Sequence, residues 1–264
     1  MTTKQLAGRS AIVTGSTSGI GRAIAQLFAS EGAHVMLNGF GDAKEIEALR
    51  ASIAKEHGVK VAYSGADMAK PAEIEAMVRA AEKELGPVDI LVNNAGIQHV
   101  SPVDDFPTEK WDAIIAVNLS ASFHTVRAAL PAMKEKGWGR IINIASTHGL
   151  VASTHKAAYV AAKHGLIGLT KVMGIECADT GVTCNAICPG FVSTPLALAQ
   201  IETKATADGI DMDEASHLLI GEKQPQVRFT TVEQIAGLAL FLASDTASNM
   251  QGTALVSDGG WTAQ

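Results

Sequence analysis

The sequence predicts an α/β protein: a Rossmann-type, doubly wound parallel sheet of about seven strands with helices on both faces and a helical lid. Three observations point there. Short apolar runs alternate with helical patterns along the chain, the signature of repeated βαβ units. The first run leads into a glycine-rich turn that opens a helix. No linker, repeat or low-complexity segment divides the 264 residues, so residues 1–264 read as a single domain, with the lid over about 194–225.

Composition narrows the function classes. At 47% hydrophobic residues the chain can bury a large core. A formal net charge of -6 argues against a nucleic-acid or anionic-membrane surface. No apolar run reaches about 18 residues, so no transmembrane helix is expected. Met1 to Leu6 lead towards the first strand without a signal-peptide apolar core. Cys177, Cys184 and Cys188 form no C-x-x-C motif and are odd in number, so buried reduced thiols in a cytoplasmic protein are expected, and no metal site.

Ser10 to Thr14 is the first strand. It runs into Thr14-Gly15-Ser16-Thr17-Ser18-Gly19-Ile20-Gly21, a spacing variant of the dinucleotide fingerprint. Glycines let a pyrophosphate approach the backbone, and the helix N-terminus faces it with free N–H groups. The second strand, His34 to Asn38, ends without the acid often expected on an NAD ribose. No Arg or Lys stands in the glycine loop or just after this strand to pair a 2′-phosphate, so NAD is preferred over NADP. Phe40 flanks the adenosine or belongs to the core.

The third strand is Val59 to Tyr63. Asp67 after it either accepts from the adenine amino group or serves as a turn or cap acid. The fourth, Val88 to Val92, ends in Asn93-Asn94-Ala95-Gly96, small residues that let backbone pass close to a cofactor. Thr108 opens a long helix that carries Asn118 and runs to Lys136, with Pro131 expected to kink it or end its regular part. The fifth strand, Arg140 to Ile144, delivers Ser146 to the carboxyl edge of the sheet, where such folds place their chemistry.

A helical stretch from Ala157 carries Tyr159 and Lys163 four residues apart, on one face. A phenol has a pKa of about 10, too high for an efficient base near neutrality. A cation at about 4 Å and an effective dielectric near 20 contributes about 4 kcal/mol, enough to lower it by two or three units. The sixth strand, Val182 to Ile187, leads into Cys188-Pro189-Gly190-Phe191-Val192-Ser193-Thr194-Pro195. Helical pieces Leu196 to Ala207 and Asp211 to Glu222 follow, broken at Gly209, with Asp211 and Glu214 resembling a capping box. They read as a lid that excludes water. Ala254 to Val256 is the last strand.

The glycine loop, Asn93-Asn94-Ala95-Gly96, Tyr159-x-x-x-Lys163 and Pro189-Gly190 occur in this order, and together they resemble the short-chain dehydrogenase/reductase family over the whole chain. The resemblance implies Tyr159 as general acid/base. Lys163 would lower its pKa and hold the nicotinamide ribose, Ser146 would bind the substrate oxygen, and Asn118 would hold a water on the proton route. It further implies cofactor contacts from Thr14, Gly15, Ser16, Thr17, Gly19, Ile20, Phe40, Asp67, Asn94, Ala95, Gly96, Tyr159, Lys163 and Pro189. The Val192 backbone and Thr194 would hold the carboxamide. Family members are usually tetramers, and Gly165 and Gly168 would permit close helix packing between subunits.

Asn93 to His99, Phe106 to Trp111, His148 to Ser153, Glu222 to Pro225 and Asp258 to Trp261 are similar to the bacterial D-3-hydroxybutyrate dehydrogenases. That implies a small hydroxy-acid substrate surrounded by Gln98, Ser146, His148, Lys156, Tyr159, Gln200 and Trp261. A Lys with two amides and a His suits a small carboxylate. One position departs from that group, where Trp is common and Phe191 stands here. Two other readings stay open: an NADPH-dependent 3-oxoacyl thioester reductase, and a non-catalytic dinucleotide sensor.

Overall fold

The computed structural model describes residues 4–263; Met1 to Thr3, and with them half of the N-terminal reading, lie outside the described residues. Strands and helices alternate: β1 (Ser10–Val13), α1 (Gly19–Ser30), β2 (His34–Asn38), α2 (Ala43–His57), β3 (Val61–Ser64), α3 (Pro71–Leu85), β4 (Ile90–Asn93), α4 (Thr108–Ile115) and α5 (Ala121–Lys136). Then come β5 (Gly139–Ile144), α6 (Ala157–Glu176), β6 (Val182–Pro189), α7 (Pro195–Asp208), α8 (Met212–Gly221), α9 (Val232–Ala243) and β7 (Ala254–Ser257). The strands form a seven-stranded sheet in the order β3-β2-β1-β4-β5-β6-β7, every pair parallel. The order reverses between β1 and β4, where a crevice opens beyond the strands' carboxyl ends.

The sequence pattern explains the layering. β1, β4, β5 and β6 are buried at every position, as strands covered on both faces must be. On one face Ile24 and Phe28 of α1 pack with Ile235 and Leu242 of α9. On the other, Ile74 and Met77 of α3 pack with Ala129 and Met133 of α5. Each such fully buried Ile, Leu, Met or Phe side chain contributes roughly 1.5–3 kcal/mol.

The long helix differs from expectation. Pro131 stands inside α5, which continues to Lys136 and stops at Gly137 in the left-handed region (φ 67°). Pro131 is exposed, so water can satisfy the carbonyl it leaves unpaired. The irregularity falls earlier, in a wide π-helical turn over Ala116–Ser120 that holds Asn118. By length and composition the stretch Thr108–Lys136 would pass for a membrane span; here Ala121, Val126, Ala129 and Met133 pack against the sheet. Gly165 is used within the chain, since a Cβ there would stand 2.8 Å from Leu119 Cδ2, whereas Gly168 faces open space.

Candidate active site

The crevice has a volume of about 440 Å³ and is walled by the turns after β1, β2, β3, β4, β5 and β6, by α6 and by the start of α7. Its floor is the glycine loop. Gly15 (φ 61°) and Gly19 (φ 53°) take backbone conformations that side chains resist. A Cβ on Gly21 would collide with the Gly15 carbonyl oxygen and Asn94 Nδ2. Ser18 begins α1 without a side-chain cap bond, so the first N–H groups of the helix keep their hydrogen-bonding capacity. Thr14 and Ser16 are buried beneath the loop. Thr14 Oγ1 accepts the N–H groups of Asn94 (2.9 Å) and Ala95 (3.0 Å). Ser16 Oγ accepts the Asn38 N–H at 3.0 Å.

Asn38 explains the missing ribose acid. Its side chain is fully buried, Oδ1 accepting the Gly15 N–H (3.2 Å) while Nδ2 donates to the carbonyls of Ser64 (3.1 Å) and Ala66 (3.0 Å). It pins the ends of β1, β2 and β3 together, with both amide hydrogens donated within the protein. Phe40 is 69% exposed and lines this end of the crevice, so it is not core. Asp67 accepts the Ala69 N–H at 2.9 Å, the turn role read for it, and also lines the crevice. Among the described lining residues the cations are Lys156 and Lys163, both on the α6 side.

A buried polar chain fixes α6 against the sheet. Thr125 Oγ1 donates to Asn93 Oδ1 (2.7 Å), Asn93 Nδ2 to Asn143 Oδ1 (2.9 Å), and Asn143 Nδ2 to Thr170 Oγ1 (2.8 Å). From α6, Tyr159 and Lys163 enter the crevice opposite Ser146. Ser146 Oγ accepts the His148 N–H at 3.1 Å. Lys163 Nζ, 5.6 Å from the Tyr159 ring centre, donates to the Ile144 carbonyl at 2.7 Å.

Burial dominates the electrostatics. It pushes the Tyr159 phenol up to about 12, opposed in part by the Ser146 hydroxyl, and holds the Lys163 ammonium down to about 8. The lowering expected from the Lys163 charge is thus opposed by desolvation, the largest influence on the Tyr159 phenol.

The opposite wall is polar with one aromatic corner. Gln98 Nε2 is buried with no hydrogen-bond partner. Lys156 Nζ donates to Gln200 Oε1 of α7 at 3.2 Å. His148 contacts Ser146 Oγ through Nδ1 (3.5 Å) and Ser153 Oγ through Nε2 (3.0 Å). Trp261 packs edge-on against His148 (5.1 Å) and stacks on Phe191 (5.6 Å, 17°).

Burial, then the charges of Lys156 and Lys223, depress His148 to about 4. The imidazole is neutral near pH 7. Between pH 6.5 and about 4 the unfolded chain binds the proton and the folded one does not, so stability falls as pH drops through that window. The full loss is about 3 kcal/mol. Urea midpoints should decline more steeply between pH 6.5 and 4 in the parent protein than in His148→Gln.

The model of the family described as short chain dehydrogenase matches residues 9–206. The chain belongs to this family. It is 56% identical to the D-beta-hydroxybutyrate dehydrogenase of Cupriavidus necator over 98% of this chain and 100% of that protein. It is 54% identical to the D-beta-hydroxybutyrate dehydrogenase of Rhizobium meliloti, over 97% and 99%. Among solved structures it resembles levodione reductase with a TM-score of 0.89 at 32% identity, covering 98% and 99% of the two chains. An actinorhodin polyketide ketoreductase with NADPH gives the same TM-score at 36% identity, over 96% and 97%.

A short chain dehydrogenase binds a nicotinamide dinucleotide, and the crevice fits one. The glycine floor, the uncapped start of α1 and the polar far end match its phosphates and reactive ring in order. The predicted residues Gly15, Thr17, Gly19, Ile20, Phe40, Asp67, Asn94, Ala95, Gly96, Pro189, Val192 and Thr194 line the crevice, as do Gln98, Ser146, His148, Lys156, Tyr159, Lys163, Gln200 and Trp261. Thr14, Ser16 and Asn118 are not among the lining residues; the first two hold the loop. Asn118 grips Ile97, accepting its N–H at 2.8 Å and donating to its carbonyl at 2.9 Å. Thr194 also caps α7, accepting the Ala197 N–H at 3.4 Å.

Sequence reasoning missed the residues that act through others. Ser153 orients His148. Gln224, 1% exposed, accepts the Phe191 N–H at 2.7 Å and so holds the aromatic corner. Buried amides carry no local signal, because their partners come from distant segments.

Proposed function

We propose that this protein is an NAD-dependent dehydrogenase that oxidises D-3-hydroxybutyrate to acetoacetate, reversibly. The observation that carries the reading is a juxtaposition. Ser146, Tyr159 and Lys163 share a crevice with the Lys156 ammonium and with a buried, unpartnered Gln98 N–H donor. A group able to exchange an alcohol proton thus stands beside one that lacks an anion. The two relatives above that carry the D-beta-hydroxybutyrate name add support.

NAD, when bound, supplies the hydride acceptor. Gly15, Thr17, Gly19 and Ile20 hold its phosphates, Phe40 and Asp67 flank its adenosine, and Asn94 to Gly96 with Pro189, Val192 and Thr194 border the remainder. Lys156, Gln98, Gln200 and the neutral His148 receive the substrate carboxylate. Trp261 and Phe191 close over its methyl end. Ser146 donates to the alcohol oxygen as charge builds there, a contribution of several kcal/mol in comparable sites. Tyr159 takes the hydroxyl proton as the carbon gives up its hydride. Lys163 favours the phenolate, and Asn118, holding Ile97 at the wide turn, maintains the proton's path outward. The helices α7 and α8, separated by Gly209 (φ 68°), serve as the lid that keeps water from the reacting atoms.

NAD is favoured over NADP because, among the described residues, no cation lines the Phe40 end. Exposed Phe123, Val172 and Ile175 and the open Gly168 support a homotetramer built on α5 and α6. Three buried free thiols suit the reducing cytoplasm.

A panel of D- and L-hydroxy acids with NAD or NADP, read by absorbance of the reduced cofactor, tests the reading. The expected outcome is turnover of D-3-hydroxybutyrate with NAD, and at least about tenfold lower kcat/KM with the L-enantiomer or with NADP. Equal rates on both enantiomers, or preference for NADP, would contradict it.

A further inference from the structure

The turn that leads into α6 breaks two local rules in succession. His155 has φ 64°, the one non-glycine residue with positive φ among those described. That region is strained for any residue with a Cβ, and only a few polar types tolerate it. The next residue, Lys156, is the N-cap of α6 and makes no side-chain cap bond. A lysine is a poor choice there, because it offers no acceptor to the free N–H groups and sits at the positive end of the helix. Consecutive violations of this kind mark sites where geometry serves something other than stability.

The contacts show what is gained. The Lys156 ammonium leaves the helix terminus and reaches Gln200 Oε1 on α7 across the crevice. The His155 carbonyl accepts the Ser101 N–H at 2.9 Å. Ser101 lies three residues beyond Gln98, whose buried Nε2 has no partner. The left-handed residue therefore ties the loop carrying Gln98 to the start of α6 and turns Lys156 inwards.

We propose that His155 is a positioning residue for substrate anion binding: its left-handed backbone, latched to Ser101, aims Lys156 and sets its spacing from Gln98. The imidazole is not required; tolerance of positive φ is. This rests on the reading of Lys156 as an anion-binding group, so Lys156→Ala is measured alongside.

The experiment is steady-state kinetics with D-3-hydroxybutyrate and NAD, together with urea unfolding. His155→Val, whose β-branched side chain resists positive φ most, should raise KM for the hydroxy acid about tenfold. Its kcat should stay within about twofold, and its KM for NAD should not change. His155→Ala, a milder change that keeps the test should the valine variant fail to fold, should raise KM by about threefold to fivefold. His155→Gly and His155→Asn should restore KM to within about twofold of the parent. A valine or alanine variant that loses stability with unaltered KM overturns the proposal. So does a glycine or asparagine variant as defective as the valine one, which would assign the effect to the imidazole. If Lys156→Ala raises KM and the His155 variants do not, His155 alone is misassigned; if Lys156→Ala leaves KM unchanged, the anion reading falls with it.

Discussion

Replacing Tyr159 with Phe is expected to lower kcat for hydroxybutyrate oxidation about a thousandfold, the middle of the range for general acid–base groups. The aromatic ring remains, and with it the edge contact to His148 at 5.9 Å. Only the hydroxyl is lost. The dissociation constant for NADH, followed by fluorescence, should stay within about twofold, because the glycine floor and the α1 terminus are untouched. A variant that turns over at the parent rate would remove Tyr159 from the chemistry. One that binds no NADH would show that the phenol supports the fold of the crevice instead.

Lys156→Ala should act on the other half of the reaction. A hydrogen bond to a charged group is worth about 1.5–3 kcal/mol, so KM for D-3-hydroxybutyrate should rise by about 10- to 100-fold. KM for NAD should be unaffected. The neighbouring imidazole cannot substitute for the ammonium, since His148 at about 4 carries no charge near neutrality. Burial also depresses Lys156 below its ordinary value, with Lys223 adding to the effect. A bound carboxylate would reverse that depression, so substrate affinity should weaken as pH rises through the lysine's range. A KM unchanged in the alanine variant would detach Lys156 from the anion site.

The elements and the motif residues were legible in the sequence because both depend on local chemistry. Each βαβ unit announces itself by apolar period, and the glycines of residues 15–21 by spacing. Boundaries moved by a residue or two where burial rather than propensity decides them, as at β3, which begins at Val61 rather than Val59. Pro131 misled because a helix interior tolerates proline on its exposed face. The state of Tyr159 could not be read from the i, i+4 spacing. It depends on desolvation by the walls of the crevice, which come from several distant segments. The same holds for the Asn93–Asn143–Thr170 chain and for Gln224, whose partners meet only once the sheet is assembled. Asn38 shows the converse: the absent ribose acid was visible, and the bonds by which its amide ties three strand ends together were not.

The most direct test is the pH dependence of kcat/KM for hydroxybutyrate oxidation in the parent and in Lys163→Met. Oxidation requires the phenol to release its proton, so the rate should rise with pH, and a neutral side chain at 163 should displace that rise upwards by about two pKa units. A profile that keeps its midpoint when the ammonium is removed would contradict the pairing of Tyr159 with Lys163.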